Sequence, residues 1–172
     1  MPRDAGYIFY MIFKKYFWGS AVLGMHDAIV STVGLVVGLV FADATQYAIL
    51  LTGIIAAAAA GLSMTASEYL AARAGGNSDI AIKCGIATGA MYLFTAGMVL
   101  MPFLFVKNSY VAMGLSYFVV VSIIFFFNYV RAHICHEKFW GRFWEMLSIC
   151  VLVTVVAFII GECAKLCFGI QI

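Results

Sequence analysis

The sequence predicts an all-α membrane protein with five transmembrane helices, and three observations lead to this prediction. The chain of 172 residues is 65% hydrophobic and only 10% charged, whereas soluble domains are about 45–50% apolar and about 25% charged. Its mean hydropathy is +1.06. Apolar stretches of about 20 residues, the length that crosses a bilayer, follow one another along most of the chain. A water-soluble fold cannot cover that much apolar surface, so the predicted solvent is lipid.

A short interfacial amphipathic helix is predicted to precede the spans. Residues 1–19 contain the stretch GYIFYMIFKKYFW, in which aromatic side chains and lysines are mixed. Both kinds of residue prefer the level of the lipid headgroups. The chain is therefore divided into an interfacial segment, 1–19, and a five-helix transmembrane domain, 20–172.

Short polar breaks separate the predicted spans. The breaks are ADATQ, ARAGGNSD, KNS and RAHICHEKFWGR. The spans between them run roughly over 20–41, 47–72, 80–106, 110–130 and 143–168.

The distribution of basic residues predicts that the N-terminus is cytosolic. Short cytosolic loops carry an excess of Lys and Arg. With five spans, eight basic residues fall on the N-terminal side and two on the other. The eight are Arg3, Lys14, Lys15, Arg73, Lys83, Arg131, Lys138 and Arg142, and the two are Lys107 and Lys165.

Small residues recur at the spacing that lets helix backbones approach each other. Gly34 and Gly38 form one such pair, Gly85 and Gly89 form a second, and the second span carries Gly53, Ala57 and Gly61. The pattern predicts close helix packing, either within one chain or between two.

Two acidic residues and a methionine fall inside the first two spans and are the candidate site. Asp27 lies about two turns into the first span, where an ionised carboxylate needs a partner or a wet cavity. Met64 and Glu68 are four residues apart and share one face of the second span. Counting from the cytosolic ends places Asp27 and Met64 at similar depth and Glu68 one turn nearer the cytosol.

This combination favours a path for a divalent transition metal. Only a cation or a proton can compensate carboxylates in a region of low dielectric constant, and a thioether shifts the preference towards softer metals such as Fe²⁺. Structural explanations remain open for each residue: a neighbouring helix holding Asp27, core packing of Met64, and Glu68 reaching the interface. His26 either supports Asp27, takes a proton or simply packs.

Two further polar clusters lie outside the first two spans. His133, Cys135, His136 and Glu137 are potential metal ligands in the predicted cytosolic connection between the fourth and fifth spans, although such loops are commonly polar. Glu162 and Lys165 are three residues apart and are expected to form a structural ion pair.

The first two spans resemble those of the vacuolar iron transporter family. The stretches GMHDAIVSTVGLVVGL and LTGIIAAAAAGLSMTASEYLAA are similar to the family's Asp-Gly-x-Val-Ser block and its Ser-Met-x-x-x-Glu-Tyr block. The resemblance is specific over Gly19 to Ala72. It implies a homodimer with the ion path between subunits, and proton-coupled export of cytosolic Fe²⁺ or Mn²⁺. Asp27, Met64 and Glu68 fall on the motif positions that line the path.

The sequence departs from the family pattern in two places. Ala28 stands where the family has glycine after the aspartate. Many members also carry a glutamate-rich insert between spans two and three, where this chain has only ARAGGNSD. The loop with His133 and His136 is a candidate substitute for that metal collector.

The expected partners are therefore a divalent metal ion, protons, the lipid bilayer and a second copy of the chain, with no nucleic acid and no resident cofactor. The charge bias fits a bacterial inner membrane and a vacuole-type membrane equally well. Three other functions remain open: a passive metal channel, a scaffold subunit without transport, and a metallo-oxidoreductase using His133 and His136. The scattered histidines argue against the last of these, and no nucleophile–base arrangement of a hydrolase is visible.

Overall fold

The computed structural model describes residues 3–76, 78–135 and 139–168, with side chains described for 16–76, 78–133 and 139–167. All regular elements in these ranges are helical. In chain order they are α1 (Arg3–Phe41), α2 (Gln46–Ala74), α3 (Ser78–Leu100), α4 (Pro102–Phe105), α5 (Ser109–Cys135) and α6 (Phe139–Phe168).

Five segments of the described chain are long and apolar enough to cross a membrane. They are α1 from Tyr16 onward, α2, α3 taken together with α4, α5 and α6. This confirms the predicted fold class, a multi-pass membrane protein with five spans. The outward faces are apolar, as a lipid environment requires. Phe118 of α5, for example, is 72% exposed and Leu62 of α2 is 71% exposed.

The N-terminal helix continues into the first span without a break. α1 begins at Arg3 and ends at Phe41, so the residues assigned to an interfacial segment and those of the first span belong to one helix. The position of residues 1–19 at the membrane interface and the cytosolic location of the N-terminus both stay predictions.

The third predicted span is divided near its outer end. α3 ends at Leu100 and α4 begins at Pro102, because proline has no amide hydrogen and its ring clashes with the preceding turn. The Nε2 of Gln46, at the start of α2, donates to the carbonyl oxygens of Phe103 and of Val106, the latter at 2.8 Å. Two carbonyl groups at the end of α4 are thereby satisfied in a region without water.

Helices α1 and α3 are the most buried of the spans, and α3 packs against both α1 and α2. Gly24 of α1 lies directly against the backbone of Thr88, and Gly89 of α3 lies against Gly61 and Thr65 of α2. Since side chains at these glycines would meet backbone atoms, the absence of a Cβ permits the close approach. The predicted small-residue packing therefore occurs within one chain.

Helix α6 lies on the other side of α1 and runs parallel to it. Gly34 faces Val153, and Gly38 faces the backbone of Ala157, so the register between the two helices is the same at both contacts. The core formed by α1, α5 and α6 is apolar and contains Met25, Ile29, Val33, Val120, Ile124 and Cys150. α1 thus contacts α2, α3, α5 and α6, and one face of it stays partly exposed in the described part of the chain.

The variant Gly24→Ala is expected to lower the melting temperature of the purified protein in detergent. A Cβ at position 24 would overlap the carbonyl group of Thr88, and overpacking of this kind costs about 1–3 kcal/mol. Gly19→Ala is the matched control, because nothing lies within 4 Å of a Cβ at that position. If both variants gained stability equally from the better helix propensity of alanine, the close α1–α3 contact would be wrong.

Candidate functional site

A hydrogen bond between α1 and α2 fixes how the candidate residues stand relative to one another. The hydroxyl of Ser20 donates to Oε1 of Glu68 at 2.6 Å. Ser20 is itself held by α3, because the Thr88 hydroxyl donates to its backbone carbonyl at 3.0 Å. Glu68 is partly buried, so its carboxylate has a fixed neighbour instead of extending freely from the surface.

This register places Glu68, Met64 and Asp27 at successive depths. Met64 precedes Glu68 by four residues, or about 6 Å along α2, and Asp27 follows Ser20 by seven residues, or about 10 Å along α1. Counting from the helix ends had placed Asp27 and Met64 at similar depth. The observed register makes Asp27 the deepest of the three, roughly one turn beyond Met64.

The Met64 side chain is partly buried between the first three helices. It packs against a cluster formed by Ala28, Ala57, Tyr92 and Ala96. Three of these four neighbours are alanines, so the long thioether side chain lies among short ones. The packing interpretation and the ligand interpretation of Met64 are both compatible with this position, because a thioether can pack along its length and still present its sulfur.

Below Asp27, a chain of hydrogen bonds links α3 to the backbone of α1. Tyr92 OH and the Ser31 hydroxyl are 2.7 Å apart, and Ser31 donates to the carbonyl of Asp27 at 2.7 Å. Because Ser31 has a single hydroxyl hydrogen, the Tyr92 hydroxyl is the donor of the first bond. Tyr92 is buried and fixes the turn of α1 that carries Asp27.

Asp27 lies on a face of α1 that the other described helices leave partly exposed. Its side chain is partly exposed, Leu23 one turn before it is 47% exposed, and Ser31 one turn after it is exposed. Residues four apart share a helix face, so this exposed stripe runs along α1 through Asp27. An acidic side chain on a lipid-facing stripe would be costly.

An open groove continues outward from this stripe between α1 and α6. Its volume is about 580 Å³. Small residues dominate the part of the wall nearest to both helix backbones, and they are Gly34, Gly38, Ala42, Ala157, Gly161 and Ala164. The groove is nearly free of polar side chains, and Ser31 is its one hydroxyl-bearing residue.

His26, the residue before Asp27, is partly buried. Its Nε2 is buried without a hydrogen-bond partner among the described residues. Its electrostatic neighbours are Asp27 and Glu145, and Glu145 of α6 lies at the same level, as the register of Gly34 with Val153 requires. The sequence prediction had not singled out Glu145. The signal was available, because it is an acid inside the last apolar span.

Within the described residues, no group of three or more His, Cys, Asp or Glu side chains lies close enough to hold a metal ion. Asp27 and Glu68 of one chain therefore do not form a closed binding site with other side chains of these types. Of the predicted cytosolic cluster, the ring of His133 stacks on Tyr129. His136, Glu137 and the side chain of Cys135 lie outside the described residues.

At the opposite end of α1, Lys165 of α6 forms an ion pair with Asp43. The sequence had suggested Glu162 as the partner of Lys165. Asp43 follows the last turn of α1 and adopts a positive φ of 56°, a backbone conformation that brings an acid to the end of α6. Non-local partners of this kind, like Ser20 for Glu68 and Tyr92 for Ser31, have no signature in local sequence spacing.

Comparison with known proteins bears on the same part of the chain. The VIT family model matches residues 18–79, which span 62 of the 172 residues. The matched region contains the first two spans and all three candidate residues, Asp27, Met64 and Glu68. No curated protein matches the chain.

Proposed function

We propose that this chain, whose residues 18–79 match the model of the VIT family, acts as a member of the vacuolar iron transporter family and exports Fe²⁺ or Mn²⁺ from the cytosol in exchange for protons. Similarity to a family of transporters supports metal-ion transport. The metal, the proton coupling, the route and the homodimer are the proposed parts.

The observation that carries the proposal is the position of Asp27. It is an acid inside a membrane span, on the partly exposed face of α1. An ionised residue inside a span is expected to pair with another group or to border an aqueous cavity. A travelling divalent ion or a proton meets that requirement.

The three residues define the order in which a metal ion would be handled. Glu68, held by Ser20 nearest the predicted cytosolic end, receives the hydrated ion. Met64 and then Asp27 follow at increasing depth, where the ion exchanges water for a thioether and a carboxylate. A mixed sulfur and oxygen ligand set favours a borderline transition metal over Mg²⁺ or Ca²⁺.

A second copy of the chain completes the proposed path. One chain supplies two acids at different depths, too few to enclose an ion, whereas a two-fold axis beside α1 would present each residue twice. The partly exposed stripe through Leu23, Asp27 and Ser31 is the surface of α1 available for a helix contact there. A homodimer would also remove Asp27 from the lipid.

Competition for shared carboxylates supplies the proton coupling. Four acids close together in a low-dielectric cavity do not all stay ionised without a cation. Protons therefore bind when metal leaves, and an arriving metal ion displaces them. A passive channel would use the same residues but would be insensitive to an imposed pH gradient.

Asp27→Ala is expected to abolish Fe²⁺ flux into proteoliposomes that carry an imposed pH gradient, because the deepest carboxylate of the path is lost. The measurement is metal-resolved uptake with and without the gradient. Asp79→Ala is the matched control, since Asp79 is an exposed acid in the first turn of α3. Wild-type flux in Asp27→Ala would show that the carboxylate is structural, and flux that ignores the gradient would establish a channel.

Met64→Leu is expected to leave the folded protein intact while reducing the preference for Fe²⁺ over Mg²⁺ several-fold. Leucine nearly conserves the volume packed against the alanines, and such swaps usually cost less than about 1.5 kcal/mol, but it removes the sulfur ligand. Competition uptake with the two metals and a thermal melt of the same preparation separate the two effects. A fall in melting temperature with unchanged selectivity would assign Met64 to packing alone.

Leu23→Cys is expected to form cross-linked dimers in membranes, because Leu23 lies one turn before Asp27 on the partly exposed face of α1. The background would carry serine in place of Cys135 and of the exposed Cys163 and Cys167. Phe118→Cys is the control, as an exposed position on α5 away from that face. A bifunctional maleimide that linked both variants equally, or neither, would contradict the proposed interface.

A further inference from the structure

A second groove lies at the opposite side of α1, where α1, α3 and α5 meet. Its volume is about 530 Å³, within the range of about 300–1,000 Å³ that is typical of ligand sites. The wall is almost wholly apolar, with large side chains from α1 and α5 and smaller ones from α3. It includes Phe17, Trp18, Ala87, Met91 and Phe127, together with Lys83.

This groove is separate from the Asp27 face. Ala21 of α1 lines it and is buried, whereas Leu23, two residues later, is exposed on the partly exposed stripe. Two residues correspond to roughly 200° of rotation around a helix, so the two features lie on nearly opposite sides of α1. A second copy of the chain placed on the Asp27 face therefore leaves this groove open to lipid.

One cation lines the groove, and helix spacing places a second beyond its α5 wall, towards the end that is predicted to face the cytosol. Lys83 is an exposed residue of its wall, five residues after the start of α3. Arg131 follows Phe127 by four residues, so it lies on the same face of α5, one turn nearer the helix end. The residues that line the groove include no acid, and Asp79 lies one turn beyond Lys83, farther from the apolar wall.

Both cations already have an interaction within the chain, so a phosphate would have to share them with their present partners. An ammonium group has three donors and a guanidinium group has five. A phosphate can therefore share each cation with its present partner. Phe17 and Trp18 belong to the aromatic types that settle at the headgroup level.

We propose that this groove binds one anionic phospholipid of the cytosolic leaflet. An acyl chain lies along the apolar wall formed by α1, α3 and α5, and the headgroup phosphate lies between Lys83 and Arg131. Basic pockets between transmembrane helices on the cytosolic side are suited to anionic headgroups, and each cation near the membrane surface contributes roughly a fivefold preference for anionic over zwitterionic lipid. The bound lipid would join three helices that meet beside the residues of the candidate path.

Native mass spectrometry of the delipidated protein, after addition of phosphatidylglycerol or phosphatidylcholine in equal amounts, tests the proposal. The wild type is expected to retain phosphatidylglycerol preferentially. Lys83→Gln and Arg131→Gln are each expected to reduce that preference about fivefold. Lys107→Gln is the matched control, because Lys107 is an exposed cation at the opposite end of the bundle, and it should leave the preference unchanged.

The acyl chain and the phosphate are separated by two further measurements. Ala90→Phe fills the groove from an exposed position on its wall and is expected to reduce retention while both cations remain. In the wild type, inorganic phosphate at the same concentration is expected to compete poorly with phosphatidylglycerol, because it has no chain to occupy the groove.

Several outcomes would overturn the proposal. Equal retention of the two lipids would remove the headgroup preference, and displacement by inorganic phosphate would reduce the site to an anion site. Unchanged retention in Ala90→Phe would place the lipid elsewhere. If a variant failed to fold, the shift in wild-type melting temperature with phosphatidylglycerol against phosphatidylcholine would decide the question. These readouts involve no metal flux, so failure of the transport proposal would not affect them.

Discussion

The free-energy cost of holding a carboxylate inside a bilayer is the constraint on which the rest of this structure depends. Transfer of an uncompensated charge from water into an apolar medium is so unfavourable that the group must be neutralised, paired or hydrated. Asp27 has this problem acutely because it lies on a face of α1 that the described helices leave partly exposed. The ion pair of Lys165 with Asp43 lies at the far end of α1 and cannot help. A mobile compensating charge would explain three features together. They are the partly exposed stripe, the incomplete set of ligands within one chain and the small-residue groove beside the stripe.

Helix α3 determines how accurately the acids are placed. It approaches both α1 and α2 closely because Gly24 and Gly89 have no side chain to hold the backbones apart, and van der Waals contact at short range is a main source of helix association in lipid. That approach allows Thr88 to hold Ser20, which in turn holds Glu68, and allows Tyr92 to reach Ser31 beneath Asp27. Glu68 is therefore positioned through the hydroxyl of Ser20, which Thr88 of α3 holds in place. The turn that carries Asp27 is positioned through the hydroxyl of Ser31, which bonds to Tyr92 of α3. A site intended to bind and release an ion benefits from ligands whose supports are rigid.

Sequence reasoning was most successful where the bilayer itself dictates the pattern. Five apolar stretches gave five spans, because every backbone group in lipid must be satisfied inside its own segment. The division at Pro102 was detectable from the residue type, but the role of Gln46 in satisfying the exposed carbonyl groups was not. The relative depth of Asp27 and Met64 was misjudged because counting from the helix ends assumes that both helices begin at the same level. The Ser20–Glu68 bond, which sets the true register, joins residues 48 apart in sequence and leaves no local trace.

The two grooves that flank α1 are lined by side chains of different size, and this difference argues for different occupants. Along the α6 side, Gly34, Gly38 and Gly161 let α1 and α6 approach closely, and the short side chains of this groove leave room for another helix. Along the α3 and α5 side, Trp18 and Phe127 keep any backbone at a distance and leave a furrow suited to a flexible hydrocarbon chain, with Lys83 at one end for a charged headgroup. On the two proposals made above, one helix would separate a contact surface for protein from a contact surface for lipid. The two grooves differ mainly in the volume of the side chains that line them. Both walls are almost wholly apolar, so hydrophobicity does not distinguish them.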